Sequence, residues 1–167
     1  MMTGGTKMIL GMSTFTFIHV ALSLVGIASG LVVAAGMLRS ARMAGGTLLF
    51  LATTVATSVT GFGFERDHLL PSHIVGIISL VLLATAIMAL YVHALRGAWR
   101  WIYVSTAVAS LYLNFFVLIV QAFLKVPALH ALAPTQNEAP FAAAQAIALV
   151  AFIAIGTAAV RRFHPVV

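Results

Sequence analysis

The chain has no cysteine, which excludes disulfides, thiolate metal sites, thiol nucleophiles and cysteine-held iron clusters together. Acids are almost as scarce: three Asp and Glu stand against nine Lys and Arg, and only 7% of the residues are charged. So few charges cannot make a water-facing surface on a compact domain. None of the long apolar runs is interrupted by an ionisable Asp, Glu, Lys or Arg, which argues against a proton relay, a retinal Schiff base or a voltage sensor. There is no HxxxH metal spacing and no GxSxG nucleophile elbow, so zinc-type hydrolysis and serine hydrolysis lack their signatures. Internal repeats are absent, and an odd number of spans does not divide into two inverted halves of the transporter kind.

What the chain does have is apolar length, with 62% hydrophobic residues over 167 positions. A hydrocarbon core of about 30 Å takes about 20 residues of helix. Five runs supply this length, at about 14–38, 47–64, 72–92, 101–124 and 141–160. The expectation is an all-α, polytopic membrane protein, a single bundle of five transmembrane helices whose solvent is the lipid bilayer. The formal charge of +6 does not indicate nucleic acid, because the basic residues fall in pairs at run ends. Arg39, Arg42, Arg96, Arg100, Arg161 and Arg162 share one side, and Lys7, Arg66 and Lys125 the other. The positive-inside rule then places the N-terminus out and the C-terminus in, with Trp99, Trp101, Tyr91 and Tyr103 as an inner aromatic belt. Lys7 ahead of an apolar stretch also resembles the opening of a signal peptide, but the run continues to Leu38, longer than a signal core, and an uncleaved first helix is the better reading.

At 100° per residue, His19, Ser23, Gly26 and Gly30 share one stripe of the first helix, and Gly26 and Gly30 form a GxxxG step. Tyr103, Ala107, Ser110, Asn114 and Gln121 share a stripe of the fourth, so both stripes are expected to be buried. Ala144, Ala148, Ala151, Ala154 and Ala158 give the last helix small surfaces suited to close packing within the protomer or in an oligomer. The topology returns His19, Thr60, Ser72, His73, Gln121 and Gln145 to the outer third of the membrane, where they are expected to form a shallow polar pocket, with Asn114 deeper below it. Glu65, Asp67, His68, His130 and Glu138 lie on the outer loops above that level.

His19 and His73 are the candidate cofactor residues. Two imidazoles from separate helices could ligate haem b, or with Glu65 and Asp67 could hold a divalent metal. The plainer alternative is that each imidazole hydrogen-bonds a neighbouring helix. His93 and His164 have no matched partners in a span, so a two-haem path across the membrane is not expected.

The strings TSVTGF (57–62), SHIVGIISL (72–80), GAWRWIYV (97–104), LYLNFFVLIVQAFLKVPAL (111–129) and LAPTQNEAPF (132–141), with FIHVALSLVGIASGLVV at 17–33, resemble a group of small bacterial polytopic integral membrane proteins to which no activity is attached. The chain departs from that group's pattern at His130, where lysine is more usual, and around Asn137–Ala139. The resemblance implies a bacterial inner (plasma) membrane location. The functional expectation is a non-catalytic binding or accessory subunit, with a homo-oligomer or a larger membrane complex as partner. The alternatives are a haem- or metal-binding redox protein using His19 and His73, and a quinone, lipid or small-solute site lined by Asn114 and Gln121.

Overall fold

Among the described residues six helices carry the fold, and five of them are long and apolar enough to cross a membrane. The computed structural model describes residues 8–9, 12–64 and 71–165. The helices are α1 (Thr14–Leu38), α2 (Ala44–Gly61), α3 (Pro71–Ile87, continued by a π turn over Met88–Val92), α4 (Trp99–Lys125), the short α5 (Pro127–Leu132) and α6 (Ala139–Arg162). Ser13 caps α1 by accepting from the Thr16 N–H at 3.2 Å, which satisfies one of the free donors of the first turn.

The five spans are those expected, with shifted ends. The second helix begins at Ala44 rather than near Thr47, and takes Gly45 and Gly46 into its first turn. The fourth helix starts at Trp99, and the sixth at Ala139 with Pro140 in its first turn, where a missing N–H is not needed. Helix α5 falls between the expected spans, and Pro127 starts it in the same way.

Helix α4 is central and touches α1, α2, α3, α5 and α6, while α1 and α2 pack along one another. The interior is apolar and small-grained, with Leu83, Ala86, Ala89, Val104 and Ala159 fully buried. The GxxxG step works inside this bundle. A Cβ on Gly30 would lie 2.5 Å from Leu111 Cδ1 and 2.8 Å from Phe50 Cδ2, so only glycine lets α1 come this close to α2 and α4. The outward faces are apolar as well, and Ile147, Val150, Val81 and Leu48 stand more than half exposed. Such a surface belongs in a bilayer: this is a multi-pass membrane protein in contact with lipid.

One end of the bundle gathers the arginines. There Arg100 Nη1 donates to the carbonyls of Val160 (2.9 Å) and Phe163 (2.7 Å), and Ser40 Oγ accepts from the His164 N–H at 2.8 Å. These bonds tie the C-terminal end of α6 to the α1–α2 turn and the start of α4. At the opposite end Gln136 donates to Val120 O at 2.9 Å and closes the α5–α6 loop on α4.

Candidate functional site

Of the polar residues expected to converge in an outer pocket, His19, Thr60 and Gln145, with Asn114 below them, enter three separate helix ties. His19 meets Thr60 at 2.9 Å, joining α1 to α2. The Thr60 hydroxyl points its proton at Ala56 O (2.7 Å), so its oxygen accepts from His19 Nδ1–H and leaves Nε2 as the acceptor nitrogen. The imidazole edge packs on Phe64 with ring centres 5.0 Å apart. About one helical turn deeper, Ser23 donates to Asn114 Oδ1 at 3.1 Å and joins α1 to α4. Gln145 Nε2 donates to Phe116 O at 3.3 Å and joins α6 to α4.

His73 lies flat on Phe62, with ring centres 5.6 Å apart and planes 12° apart. Both histidines therefore flank the 61–64 segment that ends α2, each against a different phenylalanine. Among the described residues no group of three His, Asp or Glu is placed to hold a metal ion. Glu65 and Asp67 lie outside the described residues, as does the side chain of Ser72. Gln121 corrects the expectation directly, because it is exposed rather than buried on the Asn114 stripe. Helix α1 covers that stripe at Leu111 and Asn114, through Gly30 and Ser23, whereas Gln121, two turns further along, stays exposed.

Around Gly26 the interior is polar but tight. A Cβ there would lie 3.0 Å from Thr54 Oγ1 and 3.2 Å from both Asn114 Nδ2 and Thr53 Oγ1. Thr54 Oγ1, Thr57 Oγ1 and Asn114 Nδ2 are buried without a hydrogen-bond partner. This close contact of three helices, where Cα–H groups face oxygens, is a packing layer. Asn114 gives its Oδ1 to Ser23 and keeps its Nδ2 without a partner among the described residues, while Gln121, the other amide expected to line a solute or quinone site, stands exposed two turns away.

The best-formed cavity sits at the arginine end, where no pocket was expected. It measures about 60 Å³ and lies between the ends of α1, α2 and α4 and the π turn, with Arg42, Thr47, Tyr91 and Tyr103 as its polar walls. Tyr103 is 2% exposed, so it is a core residue and not part of an interfacial belt, whereas Tyr91 and Trp101 are exposed as a belt requires. The Tyr103 hydroxyl lies near Thr47, with Tyr91 and Arg42 within electrostatic reach.

Local backbone geometry builds this cavity. The π turn re-aims Leu90 and Tyr91 toward it. After it, Ala94 and Leu95 take left-handed φ values of 49° and 59°. A branched side chain pays about 1–2 kcal/mol for that conformation, and Leu95 is held in it by burial in the core at the cavity wall. His93 stacks on Trp99 at 3.7 Å and closes the turn.

The sequence carried one signal for this site. Tyr103 heads the buried Ala107–Ser110–Asn114 stripe, which contradicts a place in the lipid interface. Thr47 and Arg42 could not be joined to it without the fold. In comparisons with known proteins, no family model matches the chain, and no curated protein or solved structure does either.

Proposed function

We propose that this chain is a multi-pass protein of a bacterial inner membrane, N-terminus out and C-terminus in, acting as a non-catalytic binding or accessory subunit whose ligand site is the arginine-end cavity. The observation that carries the reading is that cavity itself, where one buried phenol, one hydroxyl and one guanidinium from three segments share a small open space. Its lining, mostly apolar with a few convergent polar groups, is of the kind that small-ligand sites have, and its volume of about 60 Å³ suits a group of a few atoms. Orientation follows from six arginines gathered at one end against three basic residues at the other.

A redox reading has less behind it. His19 spends one ring nitrogen on Thr60, and His73 is stacked on Phe62. The separating experiment is an absorption spectrum with elemental analysis and native mass spectrometry on protein extracted in mild detergent. Colourless, metal-free protein that retains a small molecule, a lipid or a partner subunit supports the binding reading. A Soret band or stoichiometric metal lost on His19→Ala would replace it with the redox reading, and a bare lone chain would contradict both.

A further inference from the structure

Among the described residues the one acid, Glu138, belongs to the opposite end of the bundle, so no described carboxylate side chain neutralises the arginines at this one. Arg100 is occupied by the carbonyls of Val160 and Phe163. Arg42 lines the cavity, where the groups facing it are hydroxyls and phenols, which donate to an anion and cannot cancel a charge. The same wall carries the start of α2, where Met43 offers no side-chain cap and the first N–H groups have no intrahelical acceptor. Gly45 has no atom within 4 Å of where a Cβ would stand, so the backbone beside this wall is open to approach.

The missing component is thus an acceptor-rich anion of a few atoms, presented at the level where helices leave the hydrocarbon. Carboxylates on a soluble partner would have to reach down among the helix ends. A phospholipid phosphate already lies at that depth, with acyl chains that can run along the apolar outer faces of α1 and α3. Resting on the binding reading above, we infer that the cavity bounded by Arg42, Thr47, Tyr91 and Tyr103 holds the phosphate of an anionic phospholipid from the surrounding leaflet. Arg42 supplies the charge, and the buried Tyr103–Thr47 hydroxyl pair donates to the phosphate oxygens. The strained Ala94–Leu95 turn fixes the distance between the Tyr91 rim and the Tyr103 wall.

The test titrates delipidated protein with short-chain phosphatidylglycerol, short-chain phosphatidylcholine and inorganic phosphate, reading bound mass by native mass spectrometry. Phosphatidylglycerol should bind in preference to the other two. Arg42→Gln should weaken it about fivefold, Tyr103→Phe should weaken it with charge unchanged, and Arg161→Gln, at the same end but outside the cavity wall, should leave it alone. A melting curve without lipid checks that each variant is folded. Equal weakening by Arg161→Gln would show general surface attraction and overturn the site. Phosphatidylcholine binding as tightly would overturn the anionic class, and inorganic phosphate binding as tightly would overturn the lipid source. Retention of a neutral amphiphile in the cavity would overturn this inference while leaving the binding reading standing; retention of nothing would remove both.

Discussion

Gly30 to alanine is the most direct perturbation of the packing that positions everything else. The added Cβ would fall 2.5 Å from Leu111 Cδ1 and 2.8 and 2.9 Å from two atoms of the Phe50 ring. Carbon atoms prefer about 3.5–4.0 Å, so the overlap with the ring approaches 1 Å. Leu111 and Phe50 are each 1% exposed, and neither has free volume to retreat into. Overpacking of this kind costs about 1–3 kcal/mol, against which alanine returns up to about 1 kcal/mol of helix propensity. A net loss of about 1–2 kcal/mol follows. Gly45→Ala is the control, since its Cβ meets nothing within 4 Å, and it should be neutral or slightly stabilising. Leu111→Val in the Gly30→Ala background should recover part of the loss, so that the double variant is more stable than the sum of the singles. Unfolding by SDS titration in mixed micelles, followed by circular dichroism, measures all four. If Gly30→Ala proved as harmless as Gly45→Ala, the close approach of α1 to α2 and α4 would be refuted.

Three further outcomes follow from the ties between helices. A double-mutant cycle of Ser23→Ala with Asn114→Ala should give a coupling energy of about 0.6 kcal/mol and no more than about 1.7; zero coupling would remove the α1–α4 bond. Arg100→Gln should release the C-terminal end of α6, seen as faster proteolysis after Val160 and a stability loss of about 1 kcal/mol, half-exposure reducing the 1.5–3 kcal/mol of a fully buried charged hydrogen bond. Unchanged proteolysis would contradict it. Glu138 supplies the pH test. Slight desolvation pushes its carboxyl up, but donation from Thr135 N–H and Oγ1 and from Asn137 N–H outweighs this and holds it below the ordinary carboxylate value. A lowered folded pKa contributes stability that is complete above the ordinary value of about 4.3 and is lost as pH falls through the folded one. The melting-temperature gap between the protein and Glu138→Gln should therefore hold constant from neutral pH down to about pH 5 and close only below about pH 4; closure above pH 5 would contradict the loop geometry.

The spans were legible in the sequence because apolar length is a one-dimensional property that a bilayer imposes on any helix crossing it. Stripes on single helices were legible too: His19, Ser23, Gly26 and Gly30 do face the interior contacts of α1. Helix-to-helix register was not. Whether Asn114 meets Ser23 or a ligand, and whether Gln121 is covered at all, depends on where α1 crosses α4, and no periodicity within one helix encodes that crossing. The arginine-end cavity was invisible for a related reason. Its walls draw on a π turn, the left-handed Leu95 and the start of α2, local features of the backbone that leave hydropathy unchanged. Depth alone suggested that the polar groups would pool near the opposite end, whereas His19, Thr60, Asn114 and Gln145 each enter a hydrogen bond between two helices.

The proposed site has to face the cytosol, and the absence of native cysteine makes that measurable without background. Single-cysteine variants Ala41→Cys, at the cavity wall, and Asn137→Cys, in the α5–α6 loop, can be treated in intact spheroplasts with a membrane-impermeant maleimide. The account predicts that Asn137→Cys reacts at once and Ala41→Cys only after the membrane is opened. Immediate labelling of Ala41→Cys, with Asn137→Cys protected until permeabilisation, would invert the protein and contradict the account.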